Sequence, residues 1–102
     1  MTLTSKQRAY LKSLAADLEP VFQIGKATVT PEITEAISET FNTRELVKIT
    51  VLKNCTDDVT NVAITVSERT RSELVQVIGR KFVLYKPFKD DPKIILPKTK
   101  KA

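Results

Sequence analysis

The feature that most constrains this fold is a hydrophobic period that switches repeatedly between helix and strand. Leu11, Leu14, Ala15 and Leu18 fall at i, i+3, i+4 and i+7, one stripe of a helix. Thr4 with Gln7 three residues on fits a capping box that starts it, and Pro20 ends it because the ring cannot continue the ladder. "VFQI", Val21 to Ile24, then reads as a short strand between Pro20 and Gly25. A second helix follows, with Thr30 as N-cap, Pro31 first, and Glu32 and Glu35 near the positive end of its dipole. Ile33, Ala36, Ile37 and Phe41 form its core stripe, and Asn42 suits its C-terminus. From Glu45 to Lys53 the period changes to two: Val47, Ile49 and Val51 share one face, and Leu46, Lys48, Thr50 and Leu52 the other. The stretch Asp57 to Arg69 is β-branched enough for a strand, but Val59, Val62, Ala63 and Val66 have helical spacing. With Thr56 or Asp57 as cap, the spacing predicts a helix. "ELVQVIG" and "KFVLYKP" read as two strands joined by a tight hairpin at Gly79-Arg80.

The order α-β-α-β-α-β-β implies an α/β (α+β-like) single domain with a four-stranded mixed sheet. The alternating elements imply a parallel pair, and the closing hairpin adds an antiparallel one. Helices are expected mainly on one face, leaving the other partly open. A chain of 102 residues suits one such domain with a single core, here residues 1–97. Residues 98–102 are expected to form a basic flexible tail, because "LPKTKKA" is too polar to pack. There is no internal repeat and no glycine- or serine-rich linker.

The residue inventory argues against most chemistry. Histidine, the commonest general base and metal ligand, is absent. The single cysteine, Cys55, has no partner for a disulfide and no imidazole to activate it. Glu32, Glu35 and Glu39 lie at helical spacing as a solvated face; Asp57-Asp58 suits a helix start and Asp90-Asp91 a loop. No G-x-x-x-x-G-K-[ST] phosphate loop exists. The expectation is therefore a non-enzyme without metal, cofactor or small-molecule substrate. No apolar run approaches the roughly 20 residues that span a bilayer, and "MTLTSKQRAYLKSLA" lacks the apolar core of a signal peptide. A cytoplasmic, monomeric protein without a membrane partner is the simplest expectation.

The net charge of +5 is unevenly distributed: +2 over residues 1–30, −3 over 31–79 and +6 over 80–102. Segregation of this kind suits a polyanionic partner, though a solubilising basic tail gives the same count.

One junction gathers the features such a partner needs. In "FQIGKATVTPEIT", Gly25 lets the backbone turn sharply after a strand and approach a ligand closely. The helix start near Thr30 offers backbone N–H groups to an anion, and Lys26 adds a full charge. The same residues also make an ordinary strand-to-helix turn with a satisfied cap. Further candidates are Lys6, Arg8 and Lys12 on the first helix, Arg44 and Lys48 on the second strand, and Arg80, Lys81 and Lys86 on the hairpin. Each of these also serves as a solvated surface charge. Tyr85 can stack on a base, but packing is the commoner role for a strand tyrosine, and Gly79 is expected to serve the turn.

The segments "LTSKQRAYLKSLA", "PVFQIGKATVTPEI", "RELVKITVL" and "LVQVIGRKFVLYKP", in that order, make the chain resemble the YhbY/CRM family in its stand-alone bacterial form. The resemblance spans residues 2 to 97. It implies a compact fold similar to the C-terminal domain of translation initiation factor three and reminiscent of KH modules. It also implies RNA binding through a G-x-x-G loop, which by position is Gly25-Lys26-Ala27-Thr28. Here the second glycine is threonine, whose hydroxyl can instead be offered to phosphate. The partner implied is ribosomal RNA in precursors of the large ribosomal subunit, with a role in their maturation. The rival reading is a protein-interaction module that docks an acidic ribosomal or assembly partner.

Overall fold

In the computed structural model, which describes residues 3–97, the elements follow the expected order. They are α1 (Ser5–Ala15), β1 (Phe22–Ile24), α2 (Pro31–Thr40), β2 (Leu46–Val51), α3 (Val59–Thr70), β3 (Glu73–Ile78) and β4 (Lys81–Tyr85). The strands form one mixed sheet in the order β1-β2-β4-β3, with β1 parallel to β2 and the other pairs antiparallel. The tail expected at residues 98–102 lies outside the described residues.

Local chemistry explains where the helices begin. Thr4 accepts from the Gln7 N–H while the Gln7 side chain accepts from the Thr4 N–H, both at 3.1 Å, completing the capping box. Thr30 caps α2 by accepting from the Ile33 N–H. For α3 the cap is Asp58, one residue beyond the sequence expectation, accepting from the Asn61 N–H. Helix α1 stops at Ala15, well before Pro20. Leu11 and Ala15 pack on the sheet, whereas Leu14 faces outward and Leu18 reaches the core from the following turn, which the Leu18 N–H closes onto the Ala15 carbonyl.

The sheet is a wall between two apolar clusters. Alternation sends Ile24, Val47, Ile49, Val51, Phe82 and Leu84 to one face, where α2 and α3 cover them with Ile37, Phe41, Val62, Ala63 and Val66. The opposite face carries Leu46, Val83 and Tyr85 under Leu11 and Ala15 of α1. Two helices thus cover most of one face, while the single α1 covers only part of the other.

Strand β3 keeps its apolar residues buried on both faces by means of a bulge. Leu74 pairs with Leu84 and Gln76 with Val83, so Val75 is the extra residue. It joins the α1 cluster, while Leu74 and Val77 pack on the other side. At the hairpin, Ile78 pairs with Lys81, leaving Gly79-Arg80 as the two-residue turn. Gly79 adopts φ 56° at its first position, as a type II′ turn requires.

Candidate nucleic-acid interface

Strand direction decides which loops meet. β1, β2 and β3 all end at the same edge of the sheet, where β4 begins. The Gly25–Thr28 loop, the segment after β2 and the Gly79-Arg80 hairpin therefore share one end of the molecule. They are in contact: the Leu52 N–H donates to the Ile24 carbonyl at 2.8 Å, and Arg80 donates from Nη2 to the Leu52 carbonyl at 2.6 Å.

The Gly25–Thr28 loop is a closed turn, with the Thr28 N–H donating to the Gly25 carbonyl at 2.9 Å. Its two ends have different requirements. A Cβ on Gly25 would sit 3.0 Å from Asn54 Oδ1 and 3.4 Å from Leu52 Cδ1, so a larger residue there requires the exposed Asn54 side chain to shift, and no positive φ demands glycine. Thr28 is the residue with left-handed backbone, φ 57°. The position where the family pattern expects its second glycine thus keeps a glycine-like conformation while carrying a β-branched side chain. Lys26 and Ala27 are exposed at the tip, and Lys26 has no partner among the described residues.

The start of α2 offers an anion less than a bare helix end would. Pro31 has no N–H, and the Ile33 N–H is taken by Thr30, which leaves the Glu32 N–H in the first turn beside its own carboxylate. Most of the positive potential here must come from side chains. Beside Thr28, a cleft of about 260 Å³ toward α3 is lined by Asp57 and Asp58 as well as Arg69. On the opposite side, toward the hairpin, stand Lys53, Arg80 and Lys81, without a carboxylate among the lining residues. Arg80 also donates from Nε to the Val51 carbonyl at 2.9 Å, and its remaining N–H groups have no acceptor among the described residues.

The other predicted cations are scattered. Lys6 and Lys12 are exposed on α1. Arg8 is half-buried and donates to the Leu74 carbonyl and, at 3.0 Å, to the Val75 carbonyl, fastening α1 to the bulge. Lys48 is half-buried on the α1 face of β2. Arg44 and Lys86 lie at the opposite end of β2, separated from the loop end by about 17 Å of strand. Lys86 donates to the Thr70 carbonyl at 3.0 Å, satisfying the end of α3. The structure therefore groups Gly25, Lys26, Ala27, Thr28, Thr30, Arg80 and Lys81, and does not bring Arg44 or Lys86 to them.

Sequence reasoning missed Lys53, which strand direction alone places at the loop end, and Glu45. The Glu45 side chain, 4% exposed, accepts from the N–H groups of Phe88, Lys93 and Ile94, at 2.9, 2.9 and 2.6 Å. It holds the segment after β4 against the sheet. Its signal was a carboxylate in phase with Val47, Ile49 and Val51. Tyr85 is buried, 2% exposed; burial, with the Glu45 charge adding to it, pushes its phenol above the ordinary value. Cys55 is buried too, and no metal-ligand cluster occurs among the described residues.

The model of the CRS1 / YhbY (CRM) domain matches residues 3–86. The chain belongs to that family. Among CRM relatives it is 44% identical over 95 residues to the Bacillus subtilis protein named "Probable RNA-binding protein YqeI", covering 93% of this chain and 99% of that one. An "RNA-binding protein" of Haemophilus influenzae is 33% identical over 97 residues, covering 95% and 97%. The solution structure of the Staphylococcus aureus protein SAV1595, described as a candidate RNA binder, superposes with a TM-score of 0.80 at 48% identity. The match covers 94% of this chain and all of that one. The CRM fold therefore extends through the sheet and all three helices, and no helix among the described residues is long and apolar enough to cross a membrane.

Proposed function

We propose that this CRM protein binds RNA at the loop end of its sheet. The observation that carries the reading is that Lys26, Lys53 and Lys81, which have no partner among the described residues, surround one turn-and-hairpin surface together with the exposed guanidinium of Arg80. The relatives named as RNA-binding proteins support it. The ligand is ribosomal RNA in precursors of the large subunit, and the protein assists their maturation as a cytoplasmic monomer. It acts by binding, without catalysis or cofactor. The cations neutralise sugar–phosphate backbone, which gives affinity without base reading, and Thr28 offers its hydroxyl to one phosphate. Recognition by shape fits a surface with few exposed aromatic rings.

Titration of ribosomal RNA fragments against the wild type and Lys26→Glu tests this. The variant should bind more weakly, with the slope of log affinity against log salt reduced by about 1, while its melting curve stays unchanged. Unchanged affinity would move the site away from the turn. A purified protein free of nucleic acid that binds ribosomal RNA no better than a generic polyanion would instead support docking of an acidic protein partner. Thr28→Val and Thr28→Gly test the hydroxyl: binding unaltered in both removes that contact.

A further inference from the structure

The pairing registers align Gln23, Thr50, Lys81 and Ile78 in one row across all four strands. This row lies on the α1 face of the sheet, beyond the residues that α1 covers. Ile78 is 59% exposed, the one large apolar strand residue so open among the described residues. A cleft of about 460 Å³ adjoins it, bounded by Thr50, Lys53, Arg80 and Lys81. The volume is within the range of small-ligand sites.

Charge distinguishes this corner from two further clefts among the described residues. The cleft beside α3 sets Asp57 and Asp58 against Arg69, and that between α2 and the segment after β4 sets Asp90 and Asp91 among Lys86, Lys89 and Lys93. The corner at Ile78 has three cations and no carboxylate. An apolar floor ringed by cations fits a ligand with one flat apolar part and flanking negative charge. We infer that this corner seats an unpaired nucleotide of single-stranded RNA, its base against Ile78 and its adjacent phosphates on Lys53, Lys81 and the free N–H groups of Arg80. The inference rests on the RNA-binding reading and extends it from backbone neutralisation to selection of unpaired RNA. A strand of RNA held at Lys26 can continue to the corner, because the Leu52 N–H bonds the Ile24 carbonyl beside the turn and Arg80 bonds the Leu52 carbonyl.

Binding of a short fluorescein-labelled oligouridine and of an RNA duplex, followed by anisotropy, tests the corner with Ile78→Ser, Lys53→Glu and Lys81→Glu. Ile78→Ser leaves the charge intact and, at an exposed site, the fold as well, which a melting curve checks. It should weaken oligouridine binding about fivefold, as loss of the apolar contact between one base and an aliphatic side chain would, and leave duplex binding unchanged. The two charge reversals should weaken both ligands, and 4-thiouridine within the oligomer should crosslink to the 78–81 segment. If Ile78→Ser binds oligouridine like the wild type while Lys26→Glu does not, the corner is overturned and RNA binding at the turn stands. If the wild type binds neither RNA, both readings fall. Displacement of a polyglutamate peptide, but not of RNA, by Ile78→Ser would assign the corner to an acidic protein segment and overturn the inference.

Discussion

Replacing Thr28 by glycine should stabilise the protein, although it deletes a half-buried side chain. Left-handed backbone costs an L-residue about 1–2 kcal/mol, and the Thr28 φ of 57° places a β-branched residue there. Glycine removes that strain but gives the unfolded chain more freedom, an offset of about 0.5–1 kcal/mol. Loss of the half-buried methyl group offsets about 0.4 kcal/mol more. The balance is a gain of about 0.3 kcal/mol, which for a domain of this size raises the melting temperature by about 1–3 °C. Urea unfolding of the wild type, Thr28→Gly and Thr28→Val, with a common slope, measures it. Thr28→Val keeps the branched Cβ and should gain nothing. A loss above about 1 kcal/mol in Thr28→Gly would refute the strain argument, since it would show that the side chain's contacts outweigh the backbone cost.

Other perturbations read other parts of the structure. Glu45→Gln keeps one carbonyl oxygen but turns an amide toward one of the three N–H donors, so it should cost about 1–3 kcal/mol and speed hydrogen exchange at Phe88, Lys93 and Ile94. Arg8→Ala frees α1 from the β3 bulge. It should lower stability by about 1–3 kcal/mol, yet leave the RNA affinity of the folded fraction unchanged, unlike Lys26→Glu. The buried Tyr85 phenol titrates above its unfolded value of 10.0, so its contribution is complete below that pH and is lost as pH rises through the folded value. Tyr85→Phe should therefore lose stability less steeply than the wild type from about pH 10 upward in parallel alkaline melts.

The elements were legible because their signals are local. The Thr4–Gln7 box, the Thr30-Pro31 start and the Gly79-Arg80 turn each depend on residues within a few positions of one another. Helical spacing outweighed β-branching in α3, since Val62, Ala63 and Val66 have a sheet to bury against. The early end of α1 was hidden, because Leu14 and Leu18 fit the stripe whether or not both reach the core. The bulge at Val75 was hidden as well: "ELVQVI" satisfies either face, and only pairing with β4 chooses. The position of the loop was readable from Gly25 and the cap that follows. The membership of its surface was not. Lys53 and Lys81 join it, and Lys86 leaves it, through strand order and direction, which are properties of the assembled sheet.

The fastening of Arg8 has a consequence for how molecules of this protein avoid one another. An open sheet edge invites a neighbouring chain to add a strand and begin an aggregate. At the β3 margin, the guanidinium occupies the Leu74 and Val75 carbonyls where the bulge already spoils a regular ladder. The β1 margin is only three residues long. Both borders are thus poor templates for strand addition, and the same arginine that holds the first helix in place also guards the sheet margin against self-association.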